Sequence, residues 1–142
     1  MIFWDTSAFS RAFLKSDPGY GQARSLLISD GRHAGSTLLW PETASALSRQ
    51  ARTRGASRGF DIEAVRRFLE RLELVDFSSD LAGRALDLVI RLRLLGADAA
   101  HLATALDLSR RSGRRGFRFA CSDRELAASA RTMGLRVVSP GL

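Results

Sequence analysis

Lysine, cysteine and histidine are scarce in this chain. Cys121 is its one cysteine, which excludes an intrachain disulfide and a thiolate zinc site. In the setting Phe117-Arg118-Phe119-Ala120-Cys121 it reads as a packed, inert thiol on a buried strand. Lys15 is the sole lysine, so a phosphorylated receiver domain, which needs a late lysine beside its acidic pocket, is excluded. No apolar run approaches the roughly 20 residues of a membrane span, and no membrane partner is expected. The opening Met1-Ile2-Phe3-Trp4-Asp5 lacks the basic segment and long apolar stretch of a signal peptide, so the expected location is the cytoplasm.

What remains is a globular composition, 45% hydrophobic and 26% charged over 142 residues, which suits one domain spanning 1–142. The formal net charge of +7 favours a polyanionic partner through attraction to phosphates and counterion release.

Short apolar segments alternate with helical patterns along the chain. Ile2-Phe3-Trp4 reads as a strand, followed by a helix capped from Asp5-Thr6-Ser7 with Phe9, Ala12 and Phe13 on one side. Asp17 and Pro18 supply an N-cap and first position for a second helix through Tyr20, Ala23 and Leu27, ending near Asp30-Gly31. Thr37-Leu38-Leu39-Trp40 predicts a second strand, and Pro41 opens a third helix with Glu42 in its first turn. The stretch from Arg49 to Arg58, interrupted by Gly55 and Gly59, predicts a helix end and loop. A fourth helix follows Asp61 through Ile62, Val65, Leu69 and Leu72, then a short strand at Leu74-Val75-Asp76-Phe77. Ser78-Ser79 caps a helix through Leu81, Ala85, Leu88 and Leu92, broken by Gly96. The next helix runs from near Ala97 towards Arg110, and a basic turn from Ser112 to Gly116 leads into a strand at Phe117 to Cys121. Ser122-Asp123 opens a last helix to Met133, Gly134 ends it, and Leu135 to Val138 makes a final strand. This alternation predicts a parallel α/β sandwich, in which sites form outside the carboxyl ends of the strands.

Four acids, Asp5, Glu42, Asp98 and Asp123, fall where apolar stretches give way to helix starts. Taken singly, each is also what a helix cap or first turn requires. Asp98 says more, because Leu102, Ala105 and Leu106 form the apolar stripe of its helix and its carboxylate shares that inward face. A charge directed towards a core is costly unless paired or bound to metal. Carboxylates gathered at one sheet edge raise one another's pKa until a cation arrives, and oxygen ligands without Cys suit Mg²⁺ or Mn²⁺ rather than zinc. Such a site retains water that can be activated to attack a phosphorus in line, so phosphodiester hydrolysis follows. His33 reads as a solvated loop residue. His101 shares the side of the helix that carries Asp98, as a packed or hydrogen-bonded histidine or as a ligand. Arg110, Arg111, Arg114 and Arg115 form either a phosphate grip or a solvated basic turn. A haloacid-dehalogenase-like phosphatase would need a second Asp where Ser7 stands.

Four segments together resemble a PIN domain, in particular the VapC-type toxins of bacterial toxin–antitoxin pairs. They are Met1-Ile2-Phe3-Trp4-Asp5-Thr6-Ser7-Ala8; Pro41-Glu42-Thr43-Ala44-Ser45-Ala46-Leu47; Gly96-Ala97-Asp98-Ala99-Ala100-His101-Leu102-Ala103-Thr104-Ala105; and Ser122-Asp123-Arg124-Glu125-Leu126 with Ala130, Gly134 and Leu135. The resemblance implies an α/β fold, a PIN-like three-layer α/β/α sandwich with a central, mostly parallel sheet. It implies an endoribonuclease whose Asp5, Glu42, Asp98 and Asp123 bind one or two Mg²⁺ or Mn²⁺ ions, with Asp5 and Asp98 the main ligands. Thr6 and Ser7 match hydroxyls that help order the first acid, and Ser122 is a further supporting residue. The implied partners are RNA, a second copy of the chain in a homodimer, and a small antitoxin laid into the acidic groove. Cys121 stands where the family often has Thr or Ser, so that position brings no hydroxyl. The alternative function is a non-catalytic RNA- or partner-binding PIN module.

Overall fold

Ile2, Phe3 and Trp4 are almost wholly shielded from solvent, which a strand achieves only with neighbours on both edges and helices on both faces. The structure, a computed structural model, describes residues 1–53, 60–113 and 115–142. The expected loop from Gly55 to Gly59, with Arg58, and Arg114 of the basic turn lie outside the described residues. The elements run β1 (Ile2–Trp4), α1 (Thr6–Arg11), α2 (Tyr20–Leu27), β2 (His33–Ser36), α3 (Leu39–Thr53), α4 (Ile62–Leu69), β3 (Glu73–Val75), α5 (Ser79–Leu92), α6 (Gly96–Ser112), β4 (Arg118–Ala120), α7 (Arg124–Thr132) and β5 (Val137–Val138). The strands form one sheet in the order β3-β2-β1-β4-β5, with every pairing parallel.

Alternation along the strands builds the layers. Phe3 and Phe119 face α5, α6 and α7, whereas Ile2, Trp4 and Ala120 face α1, α2, α3 and α4. Each buried Phe, Leu or Ile contributes about 1.5–3 kcal/mol from removal of apolar area from water. The chain leaves β1 towards β2 and β3 on one side and returns to β4 and β5 on the other. The crevice outside the carboxyl ends of β1 and β4 is thus the topological switch point, where sites form in open parallel sheets. Among the described residues no helix is long and apolar enough to cross a membrane.

Several boundaries differ from those the sequence predicts: α4 stops at Leu69, β3 is Glu73–Val75 and β5 starts at Val137, and three further shifts have a visible cause. The second strand is His33–Ser36, not Thr37–Trp40, and Leu39 and Trp40 form the first turn of α3. A side chain at Gly35 would come within 2.9 Å of Leu39 Cδ2, so Leu39 packs back over a strand of small residues. Pro41 still fits, because the first turn of a helix needs no backbone donor there. The second helix begins at Tyr20, since the Asp17 carboxylate accepts from the Gly19 N–H (2.8 Å) and holds Pro18 in a turn. Helix α5 ends at Leu92, with Arg93 as a C-cap of left-handed φ 56°, and Gly96 opens α6 rather than breaking the helix before it.

Candidate active site at the carboxyl edge of the sheet

Asp5 follows β1 directly, and its N–H extends the ladder by donating to Ala120 O (2.9 Å). Its side chain is 2% exposed. Oδ2 accepts from the Ser7 N–H (2.9 Å) and from the Ser7 hydroxyl, so Asp5 caps α1. Ser7 Oγ in turn accepts from the Ser122 N–H (2.9 Å), tying the β1–α1 turn to the β4–α7 turn. Asp123 ends that second turn and caps α7 by accepting from Leu126 N–H (2.8 Å).

Glu42, in the first turn of α3, is fixed from two sides. Its Oε2 accepts from Thr6 Oγ1 (2.6 Å) and lies 2.7 Å from His101 Nε2. Burial alone would raise the Glu42 carboxyl, but hydrogen bonds from His101 and Thr6, with the charge on His101, hold it below its ordinary value. Burial of His101 works the other way and would lower the imidazole, yet the hydrogen bond to Glu42 and the charges of Asp5, Glu42 and Asp98 raise it. The two directions agree on a charge-assisted pair. His101 is 1% exposed, and its Nδ1 has no hydrogen-bond partner among the described residues.

Asp98 stands in the first turn of α6 but does not cap it; the N-cap is Leu95, without a side-chain bond. Burial, then the charges of Asp5 and Asp123, push its carboxyl up to about 6, with His101 partly opposing and Glu42 adding to the rise. Among the described residues no lysine or arginine forms an ion pair with Asp5, Asp98 or Asp123. Nor, among them, do three or more His, Cys, Asp or Glu side chains stand grouped closely enough to hold a metal ion as they are. The four acids are electrostatic neighbours with an excess of negative charge. Their oxygen donors and that excess have the chemistry a hard divalent cation requires, and Asp5, Asp98 and Asp123, with Glu42 behind them, are the residues that would hold one. When bound, such an ion supplies charge neutralisation and activation of water for attack on phosphorus. The protein's part is to seat Asp5 through Ser7 and Glu42 through Thr6 and His101.

Several sequence expectations need correction. Ser7 orders the first acid, but Thr6 serves Glu42 instead. The Ser122 hydroxyl turns away from the acids and donates to Pro140 O (2.7 Å). His33 is not a solvated loop residue: it opens β2, accepts from Trp4 Nε1 (3.0 Å), meets Ser29 O through Nε2 (3.0 Å) and stacks on Trp4. Arg110 and Arg111 both turn to Asp107 near the far end of α6, away from the acids at its start. Arg115 lies past that same end, beside Gly116, whose carbonyl accepts from the amino terminus before β1. Cys121 is packed as expected, and burial, with Asp5 nearby, pushes its thiol up to about 12. His101 is the residue whose role the sequence understated; its place one turn after Asp98 was the available signal.

Comparison with curated protein sequences finds no match. Solved structures similar over almost the whole chain include Mycobacterium tuberculosis VapC20, a sarcin-ricin loop cleaving toxin, at 23% identity and a TM-score of 0.71, covering 99% of this chain and 100% of that one. A toxin–antitoxin complex from Klebsiella pneumoniae is similar at 21% identity and a TM-score of 0.63, covering 99% and 98% of the two chains. VapBC2 from Rickettsia felis, bound to a DNA fragment from their promoter, matches at 18% identity and a TM-score of 0.62, covering 98% of each chain. At these identities the likeness is one of fold. The PIN domain family matches residues 2–127, which takes in all four acids and every strand but the last; the chain belongs to the PIN domain family.

Proposed function

We propose that this chain is a Mg²⁺- or Mn²⁺-dependent endoribonuclease, the toxin of a toxin–antitoxin pair, with Asp5, Glu42, Asp98 and Asp123 as its catalytic acids. The observation that carries this reading is Asp98, uncapped at a helix start and lifted to about 6 by burial and by Asp5 and Asp123. A structural acid of this kind would have an arginine or lysine partner; among the described residues this one has neither, and the charge of His101 offsets its carboxylate neighbours only in part. The net charge of +7 supports an RNA substrate, since the positive field draws in a polyanion. The toxin and toxin–antitoxin structures that share the fold support the biological role.

Purified protein is expected to cleave RNA with Mg²⁺ or Mn²⁺, to stop with EDTA, and to lose cleavage but not fold on Asp5→Asn or Asp98→Asn. RNA binding with a steep salt dependence but no metal-dependent cleavage would instead identify a binding module.

Two surfaces support the proposed partners. A cleft of about 830 Å³ bordered by the segment after α1 and by α2, α3 and α4, lined by Phe13, Leu14, Tyr20, Leu47 and Phe60, offers an antitoxin helix apolar seats. The outer face of α5 carries Leu86 and Ile90, 60% and 70% exposed, with Leu95 beyond it at 75%. Asp87 and Arg91 flank this stripe, so two copies of α5 laid antiparallel pair opposite charges across it, which supports a twofold homodimer. Ile90→Asp is expected to convert the dimer to a monomer by light scattering; a wild type that is already monomeric removes this part of the reading.

A further inference from the structure

Ser122 does not point its hydroxyl at the acids; that bond leads to the segment after β5. After β5, residues 139–142 fold back in a turn, with Leu142 N–H donating to Ser139 O (3.3 Å). Three contacts fix this tail. Pro140 O accepts the buried bond from Ser122 Oγ (2.7 Å). Gly141 N–H donates to Gln22 Oε1 of α2 (2.8 Å), and Gly141 O accepts from Arg11 Nη1 of α1 (3.3 Å). Gly141 adopts φ +75°, and a Cβ there would come within 2.8 Å of Gly19 Cα. The backbone of the tail therefore presses against the turn before α2, an approach only glycine allows.

From these contacts we infer that the tail is a positioning strap for the metal-holding acids, clamping the β4–α7 turn through Ser122 so that Asp123 stays opposite Asp5. The chain of contacts is continuous. Arg11 and Gln22 anchor Gly141, Pro140 holds the Ser122 hydroxyl, the Ser122 N–H holds Ser7 Oγ, and Ser7 holds the Asp5 carboxylate. Ser122 is thus bound at both its side chain and its backbone, next to an acid that is itself exposed. Without the strap the turn keeps the Ser122 N–H bond to Ser7, the Asp123 bonds into α7 and the weak contacts of Asp123 with Cys121 Sγ, but loses its one tie to the segment after β5. Ser122 and the tail are positioning elements: they touch no substrate and act through Asp123 and Ser7.

This inference rests on the proposed carboxylate site, and its test separates the two. Cys121, the sole cysteine, is fully buried beside Ser122 and reports opening of the turn through its rate of reaction with a disulfide reagent. Four proteins are compared without RNA: wild type, Ser122→Ala, Ser122→Thr and Gly141→Ala. The last displaces the tail without touching the acids. Ser122→Ala and Gly141→Ala are expected to raise the Cys121 labelling rate about tenfold and to weaken Mn²⁺ binding by calorimetry about tenfold, the low end for loss of an outer-shell partner. Ser122→Thr keeps the hydroxyl and is expected to restore both. An unchanged labelling rate in both variants overturns the strap. Faster labelling with unchanged Mn²⁺ affinity overturns its role in holding the acid. A wild type that binds no Mn²⁺ overturns the carboxylate site, while the labelling response, which needs no metal, still decides whether the tail clamps the turn.

Discussion

Two aspartates on one helix meet opposite fates. Asp107, towards the end of α6, receives Arg84 Nη1 at 3.1 Å, Arg111 Nε at 2.8 Å and Arg110 Nη2 at 3.7 Å. Asp98, at its start, faces Asp5 and Asp123 instead, and burial among them lifts its carboxyl to about 6. The same side chain in the same secondary structure is neutralised at one end and left in excess at the other. Helix polarity does not explain the contrast, because an N-terminal carboxylate is already favoured by the dipole without such crowding. What differs is the sheet: its carboxyl edge delivers the residues after β1 and β4 to Asp98, while the opposite end of α6 meets the arginines of α5 and of its own last turn.

The sharpest way to break this comparison is to neutralise each acid. Asp98→Asn is expected to lower metal-dependent RNA cleavage by at least about 10²-fold, beyond what loss of an outer partner costs. Asp107→Asn is expected to leave cleavage within about threefold and to lower stability by about 1 kcal/mol or less, since its ion pairs are partly exposed. Equal losses of cleavage from the two substitutions would mean that Asp98 is structural.

A second prediction moves one contact outward. His101→Asn or Thr6→Val removes a hydrogen bond to Glu42 Oε2, and either is expected to weaken Mn²⁺ binding by about tenfold. Calorimetry on the RNA-free protein checks this. If Glu42→Gln loosens Mn²⁺ and neither partner variant does, then the hydrogen bonds are not what position the acid.

The third separates the aspartates by pH. Because the folded-state carboxyl of Asp98 lies near 6, above its ordinary 3.8, the folded protein holds that proton more tightly than the unfolded chain between the two values. Stability from this group is therefore full below about pH 4, falls as pH rises towards 6, and stays lower above. Asp98→Asn removes the penalty. In metal-free buffer at pH 7 it is expected to stabilise the fold by roughly 1 kcal/mol after solvent screening of this half-buried group, or about 2–4 °C in Tm. Saturating Mn²⁺ should reverse that order by stabilising only the wild type. A lower Tm for Asp98→Asn in metal-free buffer at pH 7 would show that the crowding is not destabilising.

Much of this contrast was legible in the sequence, for a definite reason. Asp5 and Asp123 end strands and cap helices, so their local roles and their meeting place have one cause: each follows a parallel strand of the same sheet. The capping reading was right for both, and a cap does not take either carboxylate away from this edge. Asp98 stood out because its helix has an apolar face that includes it. The errors fell where local pattern and tertiary context part. His33-Ala34-Gly35-Ser36 has no apolar alternation, yet it is the strand beside β1, because small residues fit between a paired backbone and Leu39. Leu38-Leu39-Trp40 looks like a strand and is a helix start, since its apolar groups are needed above the sheet rather than in it. The sequence leaves the arginines after Asp107 open between a phosphate grip and a solvated turn, because the cluster that Arg110 and Arg111 form with Asp107 and Arg84 comes from packing. Ser122 was assigned by adjacency, and nothing local reveals a bond to Pro140.

The smallest expected effect sharpens the comparison from the side of Asp123. Cys121 Sγ lies 3.8 Å from Ser7 Oγ and 3.4 Å from the Asp123 N–H, so it occupies the space between the two capped acids. Its thiol, pushed up to about 12 by burial and by Asp5, is neutral at any working pH and contributes packing, not charge. Cys121→Ser places a hydroxyl there with little change in volume and lets it take over the weak contacts of the sulfur. Cleavage is expected to stay within about twofold of wild type. Stability is expected to fall by about 1 kcal/mol, because the hydroxyl is desolvated more expensively than the thiol at a fully buried site. Cleavage at graded Mn²⁺ concentrations checks the first point and a thermal melt the second. A tenfold loss of activity would place sulfur itself in the working geometry, and the excess charge at this edge would then depend on more than its four carboxylates.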